Sequence, residues 1–296
     1  MHNLWDKKSN KYQRFAGQTS EFQKRILSEL ATLGVSFKGK SVVDIGCGTG
    51  VWTLLIAKEA ARVTGVDNSG GMLEILRKDA RKFGISNVET IEKSWDEFRA
   101  DEVFDVALTT MSPALRDERD FERFSALGRL KIYLGWAAPR TSDLLEPFFE
   151  RYGRKTANFM LSSKLEAWLT ARGVKFSKKN FSETRVVKRD AAEALENVCW
   201  HLDINALKYD VKDVEAMLAP FCEEGFVNET IKPQMTLFSS LTFLVIRPFL
   251  AAYQQINRPE FAKPFSSSLS QLCSWIASSV CFSLVNFFFV YRDFRA

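Results

Sequence analysis

An acid, Asp44, stands two residues before the first of three alternating glycines, Gly46, Gly48 and Gly50. A second acid, Asp67, follows 17 residues after the last of them. Val42 and Val43, before the glycines, read as the end of a buried parallel strand, and Val63-Thr64-Gly65-Val66, before Asp67, as a second. Glycines at alternate positions expose bare backbone, so a ligand can approach the main chain closely and the next helix can present its amide-rich end. A carboxylate at the tip of the second strand can accept from two ribose hydroxyls. The pattern predicts a nucleoside site.

The spacing also bears on which nucleoside. A dinucleotide fingerprint, Gly-x-Gly-x-x-Gly, needs glycine at position 51, where the chain has Val51. Asp44 inside the motif would repel a pyrophosphate. It suits a cationic ligand end, such as the amino group of a methionine moiety.

With Asp44-Ile45-Gly46-Cys47-Gly48-Thr49-Gly50, Val66-Asp67-Asn68-Ser69 and Met72-Leu73, the chain resembles the class I S-adenosylmethionine (SAM)-dependent methyltransferases. The resemblance runs from roughly Trp5 to Pro248 and is closest through about Leu115. It implies SAM as cofactor and S-adenosylhomocysteine (SAH) as product. It also implies that Asp44, Gly46, Cys47, Gly48 and Gly50 hold the methionine part, largely through backbone, with Cys47 a small filler rather than a nucleophile. Asp67 would take the ribose hydroxyls. Asn68 and Met72 would lie under the adenine, although Met72 at helical spacing reads equally well as core. In Lys93-Ser94-Trp95-Asp96-Glu97-Phe98, Ser94 falls at the adenine edge and Trp95 against the ring, with Asp96 the alternative for the amino contact. The family more commonly has an acid at the place of Ser94. Thr110 and Met111 would flank the reacting sulfonium.

The acceptor is less legible. Ser112-Pro113-Ala114-Leu115 lacks the amide or acidic head and the aromatic end of the Asn-Pro-Pro-Tyr and Asp-Pro-Pro-Tyr signatures of amino-methylating enzymes of DNA and glutamine side chains. The expected acceptor is a nitrogen, oxygen or carbon of a small molecule. Two alternatives stand beside it. One is an RNA or protein methyltransferase, which needs a broad electropositive surface around the pocket. The other is a SAM-binding scaffold without an open channel to the sulfonium. His201, with Asp203 nearby, is the candidate base, weighed against a half-buried helix histidine. Trp5, Tyr12 and Phe15 resemble the arm that closes over the cofactor in relatives, weighed against ordinary packing aromatics.

The elements that must position these residues follow from periodicity. The expected helices are 19–34, 51–61, 71–83 and 120–128, and the strands 41–45, 62–66, 87–91, 104–109 and 130–136. Strands alternating with helices at this spacing imply an α/β fold: a Rossmann-like, doubly wound, seven-stranded, mostly parallel sheet with helices on both faces. Beyond Pro139 the pattern is helical to about Arg172. A strand region follows at 174–188, then helices at 190–202 and 211–224 that form a helical lid insertion. Leu237–Ile246 is strongly β, and its part from Leu241 would be the reversed strand that closes the sheet.

At 296 residues the chain holds a methyltransferase domain, 1–248, with the lid at 190–224, and a hydrophobic C-terminal extension, 249–296. The extension carries no charged residue from Phe265 to Tyr291 but many serines. It reads as packed helix, as an interface or membrane anchor, or as a poorly ordered tail. Five cysteines without a Cys-x-x-Cys pair argue against a zinc site or disulfide framework and for a reducing, cytoplasmic setting. No metal is expected, and Met1–Lys8 has no signal-peptide pattern. A net charge of +5 with short basic runs makes a nucleic-acid partner unneeded, though compatible.

Overall fold

A computed structural model describes residues 4–138, 141–153 and 161–241. The chain divides into two units, 1–243 and 244–296, and every described residue lies in the first. The C-terminal extension, 249–296, lies outside the described residues.

The main sheet has seven strands: β1 (Ser41–Ile45), β2 (Arg62–Asp67), β3 (Val88–Glu92), β4 (Phe104–Thr110), β5 (Gly128–Trp136), β7 (Ser177–Ser182) and β10 (Gln234–Leu241). Their order is β3-β2-β1-β4-β5-β10-β7. Strands β1 to β5 run parallel, and β10 runs antiparallel to both neighbours. This is the expected doubly wound, mostly parallel sheet. The order reverses between β1 and β4, and ligands of open α/β sheets bind beyond the strand carboxyl ends at such a switch point.

Alternation along the strands explains the two covered faces. Val43, Ile45, Ala107, Tyr133 and Phe238 point to one side, where Phe121 and Phe124 of α5 (Glu118–Leu127) and Leu165 and Trp168 of α7 (Leu161–Ala171) pack on them. Val42, Val106, Leu108, Ile132 and Leu134 point to the other, against Ile26 and Leu30 of α2 (Glu21–Thr32) and Ile56 of α3 (Thr53–Ala57). Helix α2 starts at a reciprocal capping box of Ser20 and Gln23. Helix α4 (Gly70–Lys82) buries Leu73 and Leu76 beside Leu54 and Leu55 of α3.

Several boundaries differ from those expected. The helix after the glycine loop spans only Thr53–Ala57, with hydrogen-bonded turns on either side in place of helix over 51–61. The region 174–188 is not one strand. It splits into β7, in the main sheet, and β8 (Arg185–Asp190), in a second sheet. The reversed strand starts at Gln234 rather than near Leu241, and residues 242–246 lie outside the described residues. The stretch expected to be helical from Pro139 opens with a short strand, β6 (Thr141–Ser142), before α6 (Glu146–Tyr152) and α7.

The insertion expected to form a helical lid is not helical alone. Helices α8 (Ala191–Ile204) and α9 (Val211–Leu218), capped by Asp190 and Asp210, form a core with α6 and an antiparallel sheet, β6-β9-β8, where β9 is Phe226–Lys232. Leu144, Phe148, Val198, Leu202, Val214 and Val227 fill that core. A short helix at the N-terminus, α1 (Leu4–Ser9), packs against both α4 and α8. Among the described residues no helix is long and apolar enough to cross a membrane, and no group of three or more His, Cys, Asp or Glu could hold a metal.

Candidate functional site

The glycine loop is folded by its backbone. Gly46, Gly48 and Gly50 have φ of 70°, 56° and 81°, a region that side-chain-bearing residues adopt at a cost. The N–H groups of Gly46 and Cys47 both donate to the Val66 carbonyl, at 2.8 and 3.1 Å, which draws the loop across to the end of β2. The glycines differ in what faces them. A Cβ on Gly46 would lie 1.9 Å from Ser112 Oγ, and one on Gly50 would lie 2.5 Å from Leu76 Cγ. A Cβ on Gly48 would meet no atom within 4 Å. Gly46 and Gly50 therefore serve close packing, and Gly48 presents backbone to open space.

Asp44 and Asp67 frame this loop. Asp44 is fully buried. Its Oδ2 accepts from Thr53 Oγ1 at 2.7 Å, while its Oδ1 is buried without a hydrogen-bond partner among the described residues. Desolvation raises its pKa to about 7, against the lowering effect of Thr53. Asp67 accepts at Oδ2 from the Gly48 N–H at 2.8 Å and at Oδ1 from the Ser69 N–H at 2.9 Å. Its pKa is also raised by desolvation, which outweighs the backbone bonds. A carboxylate offers about four lone-pair sites, so both oxygens of Asp67 keep capacity for further donors.

The other expected residues divide into those at the loop and those packed elsewhere. Cys47 is buried, and burial followed by the charges of Asp44 and Asp67 pushes its thiol pKa well up, which removes nucleophilic character. Thr110 ends β4, and Met111 follows with φ of 52°, anchored by its N–H to the Leu134 carbonyl at 2.7 Å. A left-handed methionine at the carboxyl end of a central strand is a costly conformation of the kind that clusters at functional sites. Asn68 is exposed beside Asp67, and Met72 is buried on α4. Ser94 is held by Glu97, whose Oε2 accepts from its hydroxyl at 2.7 Å and its N–H at 3.1 Å. Trp95 is buried among Ile45, Val66 and Phe98, donates from Nε1 to Asp120 at 2.6 Å and lies under the Arg123 guanidinium. Asp96 pairs with Arg116. His201 lies on α8, where its ring meets Trp200 and Phe149 edge-on. Asp203 accepts from the Tyr209 hydroxyl at 2.9 Å.

Three residues absent from the sequence-based expectation shape the site: Thr53, Ser112 and Asp6. Asp6 Oδ1 accepts from the Ser69 hydroxyl and from the Gly71 N–H at 3.0 Å, at the start of α4. Thr53 was legible as a hydroxyl nine residues after Asp44; Asp6 was not, because only tertiary docking of α1 brings it there. The N-terminal segment is well tied down. Thr49 donates to the Gln13 carbonyl, Arg14 pairs with Asp79, and Phe15 is buried against Phe83. On its other side Trp5 packs on Trp200 at 5.2 Å and Lys8 donates to Asn197 at 2.9 Å.

Residues 42–128 match the family model described as a methyltransferase domain. An uncharacterized protein of Haemophilus influenzae is 30% identical over 183 residues, covering 61% of this chain and 66% of that one. The cypemycin N-terminal methyltransferase of a Streptomyces species is 29% identical over 116 residues, 39% of this chain and 46% of that one. The ubiquinone biosynthesis O-methyltransferase of Pasteurella multocida is 41% identical over 59 residues, 20% of this chain and 24% of that one. The chain thus spans about two thirds of the first relative and less than half of the other two. The glycine loop, both framing acids and strands β1 to β4 lie in or at the edge of the matched segment, so the chain carries a methyltransferase domain of the SAM-dependent kind.

Proposed function

We propose that this protein transfers the methyl group of SAM to a small-molecule acceptor and releases SAH. One observation carries the reading: the unpartnered, fully buried Oδ1 of Asp44 lies in the same loop framework that Gly48 fastens to Asp67. One end of that framework lacks a cation, and the other retains acceptor capacity for hydroxyls. The two ends of an amino-acid nucleoside match them. Asp44 with Gly46, Cys47, Gly48 and Gly50 holds the methionine part, and Asp67 holds the ribose. Asn68, Met72, Ser94 and Trp95 border the adenine side, and Thr110 and Met111 border the sulfonium.

When bound, SAM supplies an electrophilic methyl group on a sulfonium that is already a good leaving group. The chain's task is then to position the acceptor in line, at roughly 3–3.5 Å, and to exclude water. Met111 fixes the backbone at the carboxyl end of β4, where that alignment is needed. The arm residues Trp5, Tyr12 and Phe15 and the lid close the surround. An acceptor that is already nucleophilic needs no base, which leaves His201 a packing role.

A small acceptor is favoured over RNA by the charge pattern. Several cations near the loop and arm are matched by acids: Arg14 by Asp79, Lys11 by Glu196, and Arg116 by Asp96 and Asp120. Phosphate tracking needs cations in excess of acids. Incubation with isotopically methyl-labelled SAM and a size-fractionated cell extract tests the acceptor class. Label in the low-molecular-weight fraction is expected. Label confined to the RNA or protein fraction would overturn it.

A further inference from the structure

Among the described residues Asp44 has no counter-ion. The groups facing it are Thr53 from α3, the Cys47 thiol from its own loop and Asp67 from the end of β2, whose charge has the same sign. Its register partners on the neighbouring strands are Gly65 and Leu108, neither ionisable. A carboxylate this buried, with one oxygen unpaired and a like charge nearby, is costly to keep ionised. An ammonium group delivered by a ligand reverses that balance.

We propose that Asp44 is protonated in the ligand-free protein and surrenders that proton when an ammonium-bearing nucleoside binds, so that cofactor binding releases a proton and weakens as pH falls. The inference rests on the SAM-site reading above. The balance is simple: a neutral carboxylic acid and a ligand ammonium become an ion pair, and the acid's proton goes to the buffer. The raised pKa of Asp44, about 7, sets the range. At pH 6 about nine-tenths of Asp44 is protonated, and at pH 8 about a tenth.

Asp67 also has a raised pKa, so the test must separate the two acids. Titration calorimetry of the wild-type full chain, in buffers of different ionisation enthalpy, counts the protons released. The two probes are SAH, which carries the ammonium, and 5′-methylthioadenosine, which keeps the ribose hydroxyls but lacks it. Proton release from Asp67 is common to both. At pH 6 SAH should release close to one proton more than methylthioadenosine, and at pH 8 the difference should nearly vanish. SAH affinity should fall roughly tenfold for each unit of pH below 7. Equal proton release by the two probes at pH 6, or an excess undiminished at pH 8, would overturn the proposal and leave the function intact. Absence of SAH binding at every pH would overturn both.

Discussion

Asp67 Oδ2 accepts from the backbone N–H of Gly48 at 2.8 Å, across 19 positions of sequence. This bond makes the acid at the end of β2 and the glycine loop after β1 one unit. A ligand that touches either end of the site therefore meets a loop already held in place, and little ordering cost is left for binding.

Substitutions in the loop should separate packing from ligand approach. Gly46→Ala should destabilise the fold, because its Cβ meets Ser112 at 1.9 Å on top of the φ of 70°. Gly48→Ala meets no atom within 4 Å and should lose only the backbone term, about 1–2 kcal/mol. Urea denaturation should rank Gly46→Ala as the less stable. SAH titration should show Gly48→Ala weakened despite its milder stability loss.

Asp44 should also leave a signature in stability. Its folded pKa, about 7, lies above the ordinary carboxylate value of 3.8, so the folded state binds more protons than the unfolded state between those pH values. Stability from this group therefore falls as pH rises from about 4 to about 7 and is level above. Melting curves of Asp44→Asn and wild type should show a difference that moves in favour of the variant across that window. A difference independent of pH would show that Asp44 is not neutral in the folded protein.

Thr53→Val should strengthen the pH effect. Its hydroxyl supplies the hydrogen bond that lowers the Asp44 pKa. Without it the acid holds its proton to higher pH, and the pH at which SAH affinity levels off should move upward. A profile that stays put would place the control of Asp44 elsewhere.

Asp6→Ala tests the arm. It removes the acceptor for the Ser69 hydroxyl and the Gly71 N–H at the start of α4. The loss should be about 1 kcal/mol of stability, as for other helix caps, with weaker SAH binding because Asp67 leads into the same turn. His201→Ala, in contrast, should leave the methyl-transfer rate and its pH profile unchanged once an acceptor is in hand.

Strands β1, β2, β4 and β5 were legible from their short apolar runs and β3 from its β-branched Val88 and Ile91, with the two acids at or beside the ends of β1 and β2. Elements whose stability comes from tertiary partners were harder to read. Helix α1 has no apolar period, and Trp200, Asn197 and α4 hold it in place. Residues 174–188 hide a switch between sheets, since β7 and β8 are separated by only two residues. Strand β9, which completes the lid, was missed beside two stronger helix patterns. In the site, Asp44, the glycines and Asp67 were readable from spacing. For Trp95, whose place after β3 suggested an adenine contact, the spacing did not convey that its indole also binds Asp120, lies under Arg123 and packs in the core.

The most direct measurement is calorimetric titration of wild type and Asp67→Ala with SAM, SAH and NAD. Wild type should bind SAM and SAH and not NAD. Loss of the charged acceptor should cost roughly 2 kcal/mol, about thirtyfold in affinity for both ligands. Tight binding of NAD without binding of SAM would contradict the central claim.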